Sequence, residues 1–204
     1  MDISGHDKTA SKLFRAIAEK GPITLYTTNI TSDIPIGTIH RHFKEMADTE
    51  KIKIYDHGKS GRKKISYGPT LYGFIYFYRI DHEIEKRLEN YYDIWIKKEP
   101  FVSELQAAGF DGKKLTNDPK TSKKIFRKYI QYYAGVEEQL ANFANNMNML
   151  PRDMRMFLGE FLVATKSEYK KIWEELYSSL PGFRKNVTDF FEEMIKFYKE
   201  LKKK

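Results

Sequence analysis

The segment from residue 21 to residue 73 constrains the fold of this chain most, because turn-forming residues divide it into short elements in a fixed order. Gly21-Pro22 stops a first helix, and Asp33-Ile34-Pro35 separates a second helix from a third. Two runs with strand character, residues 53–56 and 64–67, follow and are joined by a loop. The segment therefore predicts three helices followed by a β-hairpin.

The third helix has one apolar side and one polar side. The residues predicted to be buried are Ile36, Ile39, Phe43 and Met46. Their spacing of three and four residues is typical of a stripe that packs against a core. The residues predicted to face outward are Thr38, His40, Arg41, Lys44 and Glu45. Gly37 leaves the start of the helix unobstructed, so the backbone there can approach a ligand closely.

The loop of residues 57–64 is the second basic element of the segment. Its candidate contact residues are Lys59, Ser60, Arg62, Lys63 and Lys64. The third helix and this loop would offer positive charge on one side of a small rigid domain. A DNA duplex needs that arrangement for groove insertion plus backbone contact. The alternatives are a solvated helix face and a loop whose charge serves solubility or prevents edge pairing.

An ordered set of residues along this segment matches a known DNA-binding pattern. The set comprises Gly21-Pro22, Leu25-Tyr26, Ile34-Pro35, Thr38-Ile39, the run 41–44, the loop 58–62, Tyr67, Thr70 and Gly73. With these residues, the segment 8–80 resembles the winged helix-turn-helix domains of prokaryotic and archaeal transcription regulators, of the broad MarR, ArsR and PadR type. The resemblance covers a little over a third of the chain.

The resemblance implies a role for each basic element. A recognition helix at residues 35–51 would enter the major groove, and a wing at 57–64 would lie on the backbone or minor groove. Thr38, His40 and Arg41 would read bases or nearby phosphates, and Lys44 would hold a phosphate. Arginine can bind guanine with two hydrogen bonds, whereas lysines contribute mostly salt-sensitive affinity that does not depend on sequence.

The remainder of the chain also predicts helices, so the expected fold class is mainly α. The predicted spans are 8–20 and 25–31 before the third helix, and 71–98, 102–108, 120–148, 152–179 and 183–204 after the hairpin, with a polar loop at 109–119. We expect a DNA-binding domain at residues 1–73 and a helical domain at 74–204. Aromatic stripes in the latter predict either a helical core or dimer seam, or a pocket for a small apolar or aromatic effector. The stripes are Phe126, Tyr129, Ile130 and Tyr133, and Phe157, Phe161, Ile172, Trp173 and Leu176, with Asn142, Asn145, Asn146, Met147 and Met149 as adaptable neighbours.

Composition excludes several functional classes. The formal net charge of +8 favours a polyanionic partner, and the absence of cysteine excludes disulfides, thiolate metal sites and cysteine nucleophiles. His40 and His42 lie two apart, on different sides of a helix, so they cannot chelate one ion together. The sequence has no phosphate loop, GxSxG or HExxH motif and no apolar run of membrane-spanning length. We therefore expect a cytoplasmic protein that is not an enzyme and needs no metal or cofactor.

The sequence favours a transcription regulator that binds a specific sequence of double-stranded DNA as a homodimer. Its C-terminal helices would join two copies, so that two recognition helices reach successive major grooves. One alternative is a chromatin-type protein that coats DNA with little sequence preference. The other is a protein–protein adaptor that uses the winged helix only as a scaffold.

Overall fold

A computed structural model describes residues 5–57, 64–147 and 167–201. These residues form ten helices and one two-stranded antiparallel sheet, so the predicted mainly-α class is confirmed. The helices are α1 (Gly5–Lys20), α2 (Leu25–Ser32), α3 (Ile36–Asp48), α4 (Leu71–Ile80), α5 (His82–Trp95), α6 (Glu99–Ala107), α7 (Gly112–Asn117), α8 (Pro119–Met147), α9 (Ser167–Ser179) and α10 (Pro181–Leu201). The strands, β1 (Ile52–His57) and β2 (Lys64–Pro69), lie between α3 and α4.

Local chemistry sets the breaks between the first three helices. Gly21 follows α1 with a φ of 82°, a left-handed conformation that glycine adopts without steric cost. The Thr24 hydroxyl caps α2 by accepting a hydrogen bond from an N–H of its first turn. Asp33 ends α2 with a φ of 53°, and the Asn29 side chain donates a 2.7 Å hydrogen bond to the carbonyl of Ile34. These contacts fix the turn that leads into α3.

The sheet joins the first helices to the rest of the chain. In its register Ile54 of β1 lies opposite Tyr67 of β2. On the other side of β2, Ile23 exchanges two backbone hydrogen bonds of 3.0 and 2.8 Å with Tyr67. The Tyr67 ring also packs edge-on against Phe43 of α3, with 4.9 Å between ring centres. Strand β2 therefore connects the α1–α2 link, the third helix and β1.

The single helix predicted over residues 71–98 is wrong, because two helices meet at Asp81. This residue has extended backbone, and its carboxylate accepts a 3.0 Å hydrogen bond from the N–H of Glu83, which caps α5. The same carboxylate contacts the Ser11 hydroxyl and lies 3.2 Å from Nε of Arg15, both on α1. Asp81 thus starts a new helix, and its contacts with α1 fix the position of the break between α4 and α5.

Two further boundaries differ from the prediction. Glu99 and Pro100 begin α6, where the sequence suggested that they end the preceding helix. Proline is suited to a first helical turn because its missing N–H needs no partner there. The predicted polar loop 109–119 contains the short helix α7, which the Asp111 side chain caps. Predicted helical residues at 148, 152–166 and 202–204 lie outside the described residues.

A continuous aromatic core lies beneath α4. Phe74 is fully buried and its ring contacts those of Phe14 on α1, Phe101 on α6 and Phe126 on α8, with centres 5.3 to 5.9 Å apart. Gly73 beside it has no room for a side chain, because a Cβ there would lie 2.0 Å from the carbonyl oxygen of Lys51. The predicted division at 73/74 falls inside α4 and stays a prediction. Among the described helices, none has the combined length and apolarity that crossing a bilayer requires.

Candidate nucleic-acid interface

The apolar side of α3 fixes how this helix sits on the protein. Ile39 and Phe43 are fully buried and Met46 is nearly so, in the same core as α1 and the sheet. His42 is also buried, whereas His40 is exposed, so the two imidazoles lie on different sides of the helix as predicted. The opposite side of α3 is thereby turned to solvent.

The polar side of α3 carries the predicted contact residues of the helix. Gly37, His40, Arg41 and Lys44 are exposed, and Thr38 is half-buried. An added Cβ on Gly37 would meet no atom within 4 Å, so the backbone at the start of α3 is openly accessible. The structure therefore brings the five predicted helix residues onto one accessible helix.

The start of α3 differs chemically from the starts of α2, α4 and α5. Pro35 stands at the N-cap and provides no side-chain hydrogen bond, whereas Thr24, Thr70 and Asp81 cap the other three helices. The first turn of α3 also contains no acidic residue. An uncapped helix N-terminus offers N–H groups and a partial positive charge, which favour an anion.

The two cations of α3 are not neutralised by a neighbouring carboxylate, as is also true of other basic residues in the described part of the chain. Within the described residues, Arg41 and Lys44 form no ion pair and no side-chain hydrogen bond. Glu45 is exposed one turn beyond Arg41, and Asp48 follows at the helix end. The basic residues therefore occupy the first part of the exposed side, and the acidic residues the last part.

The loop predicted to form the wing is only partly placed. Lys59, Ser60, Arg62 and Lys63 lie outside the described residues, and Lys64 is the first residue of β2. The base of the hairpin is firmly packed. The Tyr55 ring contacts the Trp95 ring with centres 5.6 Å apart, and burial, helped by the Glu104 carboxylate, raises the pKa of the Tyr55 hydroxyl.

Two predictions about α3 are wrong. Ile36 is 51% exposed rather than buried, because it stands in the first turn, beyond the part of the helix that the core covers. The recognition helix was expected at 35–51, but α3 ends at Asp48. Glu50 has a φ of 57°, which no α-helix accommodates, and this turn redirects the chain into β1.

Large apolar side chains are exposed beside α3, which the sequence did not predict. Tyr26 and Ile30 of α2 are 68% and 61% exposed, and Ile36 adds to the exposed apolar surface of this helix pair. Tyr26 and Ile30 are four residues apart, so they share one side of α2. Their spacing was visible in the sequence, but the short polar helix around them gave no sign of which side faces the core.

The aromatic residues predicted to line an effector pocket are described only in part. Phe126 and Ile130 are fully buried in the core, while Tyr129, Tyr133, Ile172 and Trp173 are partly buried against it. The predicted neighbours at 142–149 and the aromatic residues at 157 and 161 have no described side chains. In the described part of the chain, no group of three or more His, Asp or Glu residues is arranged to hold a metal ion.

No protein-family model matches the chain, and a search of curated proteins found no match.

Proposed function

We propose that this chain is a cytoplasmic transcription regulator that binds double-stranded DNA as a homodimer. The order α1, α2, α3, β1, β2 fits a winged helix-turn-helix domain, with α3 as the recognition helix and the loop 57–64 as the wing. One observation carries the proposal. The exposed side of α3 presents Arg41 and Lys44 without a partner among the described residues, while Ile39 and Phe43 hold the helix rigidly in the core.

Each exposed residue of α3 has a distinct role in this proposal. Arg41 binds a guanine edge in the major groove with two hydrogen bonds, which contribute about 1–3 kcal/mol of discrimination. Lys44 binds a backbone phosphate one turn further on, and Thr38 and His40 contact bases or nearby phosphates. Gly37 lets the backbone at the uncapped start of α3 approach a phosphate oxygen.

The wing supplies a second set of contacts. Lys59, Ser60, Arg62, Lys63 and Lys64 hold the backbone or the edges of the minor groove. Because the hairpin base is packed on Trp95 and on α3, the strands that carry the wing keep a fixed relation to the recognition helix. Two contact regions on one rigid support determine both the position and the register of the duplex.

Homodimerisation is supported by apolar exposure on the last helix. Phe191, Met194 and Ile195 of α10 are exposed, although residues of their size are usually buried. Pairing of two copies through the C-terminal helices would cover them and separate two recognition helices by about 34 Å, one turn of DNA. Light scattering on a size-exclusion column should give twice the chain mass of 24.1 kDa. A monomer at micromolar concentration contradicts this part of the proposal.

The function is tested by binding the full chain to a pool of random DNA duplexes at near-physiological salt, followed by sequencing of the retained duplexes. A palindromic motif is the expected result, and its half-site spacing measures the separation of the two α3 helices. Retention without a motif would indicate a DNA-coating protein of the chromatin type. No retention would exclude DNA as the partner.

A protein–protein adaptor is the second candidate, and Tyr26 and Ile30 favour it. Exposed aromatic and aliphatic side chains close together are more typical of protein contacts than of phosphate contacts. For an adaptor, replacing both Arg41 and Lys63 with alanine would leave DNA association unchanged. For the regulator, the same pair of substitutions would weaken it.

A further inference from the structure

Strand β1 has one edge that no other strand covers among the described residues. The N–H and C=O of Tyr67 bond to Ile23, so they point away from β1. Tyr67 and Ile54 therefore form a non-hydrogen-bonded pair of the antiparallel ladder. In such a pair both residues direct their backbone groups outward, so the N–H and C=O of Ile54 point away from β2.

A second contact also indicates that successive residues of β1 direct their backbone groups alternately toward β2 and toward the free edge. The N–H of Thr70 donates a 3.2 Å hydrogen bond to the carbonyl of Lys51, so Lys51 faces the β2 side. Counting along β1, Lys53 and Tyr55 also face β2, whereas Ile52 and Ile54 face the free edge. No backbone or side-chain group of the described residues bonds to the N–H or C=O of Ile54.

The free edge lies in an open groove of about 500 Å³. The residues that line the groove include Ala47, Glu50, Ile52, Ile54, Tyr72 and Glu104. Ile54, which is 59% exposed, provides the accessible apolar surface of the groove, and the buried Ile52 lies beneath it. The groove is concave, so it fits an extended segment better than it fits the equally concave β1 edge of a second copy.

The charges along the groove favour one kind of occupant. Lys53 would repel a cationic segment, but its ammonium group is held by the Glu104 carboxylate and the carbonyl of Pro100. Glu50 is exposed at the end of the groove where β1 begins. The groove therefore presents a carboxylate at one end and an apolar centre, with backbone hydrogen-bonding groups between its walls.

We propose that the β1 edge binds an extended segment of a partner protein, which adds to the sheet as an antiparallel strand. The partner residue opposite Ile54 exchanges two backbone hydrogen bonds with it and places an aliphatic side chain on the exposed Ile54 side chain. Four residues further along, at the position opposite Glu50, a lysine or arginine of the partner pairs with the Glu50 carboxylate. This surface is separate from the exposed side of α3, and the inference does not depend on DNA binding.

The test uses the full chain and a displayed library of random eight-residue peptides. Enriched peptides are synthesised with a fluorescent label, and their affinity is measured by fluorescence polarisation. The key variant is Ile54→Pro, which removes an outward N–H without removing a β1–β2 hydrogen bond. Ile65→Pro is the matched control, because Ile65 pairs with Asp56 in a non-hydrogen-bonded pair and directs its N–H to the opposite edge of the hairpin.

We expect Ile54→Pro to weaken peptide binding at least tenfold and Ile65→Pro to change it less than twofold. Glu50→Lys should weaken a basic peptide at least fivefold. Equal affinity of wild type and Ile54→Pro, or a library with no enriched peptide, overturns the proposal.

Hydrogen exchange on the unmodified chain provides a readout that does not depend on how the variants fold. Saturating peptide should slow exchange of the Ile54 amide at least tenfold and leave the Ile65 amide unchanged. Protection of Ile54 that rises with protein concentration in the absence of peptide would mean that a second copy occupies the edge, which also overturns the proposal.

Discussion

The exposed side of α3 and the surface formed by α5 and α8 each carry a lysine and an arginine, but only on the α5–α8 surface are these two residues ion-paired. On the second surface, Lys123 lies 2.5 Å from Asp93 and Arg127 lies 3.5 Å from Glu89. On α3, Arg41 and Lys44 have no such partner among the described residues. Paired cations give the surface little net attraction for a polyanion, whereas unpaired cations remain available to phosphate.

The largest expected effect comes from removing the packing that holds α3 in place. Phe43 is fully buried and contacts the Tyr67 ring, so Phe43→Ala should lower the free energy of unfolding by about 3–5 kcal/mol. Urea denaturation followed by circular dichroism measures this change. A loss below about 1 kcal/mol would mean that α3 is not held by the core as described.

The difference between the two surfaces is tested by replacing two cations at a time. Arg41→Ala with Lys44→Ala should weaken DNA binding roughly 10- to 100-fold, because a base contact and a phosphate contact are lost. Lys123→Ala with Arg127→Ala removes the same charge from the paired surface and should change affinity less than about twofold. Fluorescence anisotropy with one labelled duplex measures both double variants.

Salt dependence separates these outcomes further. The slope of log affinity against log salt should become less steep by about 0.9 for each phosphate contact that the α3 variant loses. The variant of the paired surface should keep the wild-type slope. Similar losses of affinity in both double variants would show that net charge, rather than the position of the cations, determines binding.

A smaller effect is expected from the acidic residue on α3. Glu45→Gln removes a carboxylate one turn from Arg41 and should raise DNA affinity roughly twofold to fivefold, since it reduces repulsion of the phosphates. Glu89→Gln is the control on the paired surface. If Glu45→Gln weakens binding, the carboxylate contributes a favourable contact instead.

The smallest expected effect concerns the pH dependence of an ion pair within α5. Lys86 and Arg87 lower the pKa of Glu83, whose ordinary value is 4.5. A lowered pKa in the folded state means that Glu83 stabilises the protein above pH 4.5 and that this contribution is lost as the pH falls through the folded value. Glu83→Gln should therefore lower the melting temperature slightly at pH 7 and by less as the pH falls below 4.5. An equal difference across this pH range contradicts the ion-pair explanation.

The sequence predicted the first part of the fold well because local chemistry determines it. Gly21 and Asp33 end α1 and α2 through their own backbone conformations, and the period of Ile39, Phe43 and Met46 orients α3. These signals depend on neighbouring residues alone. They were therefore readable without knowledge of the rest of the fold.

The errors arose where contacts distant in sequence decide the structure. The break at Asp81 depends on Ser11 and Arg15, some 70 residues away, although the capping pattern of Asp81 and Glu83 was a local sign of it. The exposure of Ile36 depends on how far the core extends along α3. The absence of a partner for Arg41 among the described residues likewise depends on which acidic residues the fold brings near, and the spacing of residues in the sequence does not show that.

The position of Trp95 gives this protein an intrinsic optical reporter. Its indole N–H donates a 2.8 Å hydrogen bond to the carbonyl of Ala18, and its ring lies against Tyr55. The second tryptophan, Trp173, is stacked on Tyr177 in α9, far along the chain. Replacing Trp173 with phenylalanine would leave an emission spectrum from Trp95 alone, whose wavelength and quenching report in real time whether the hairpin stays seated on α1.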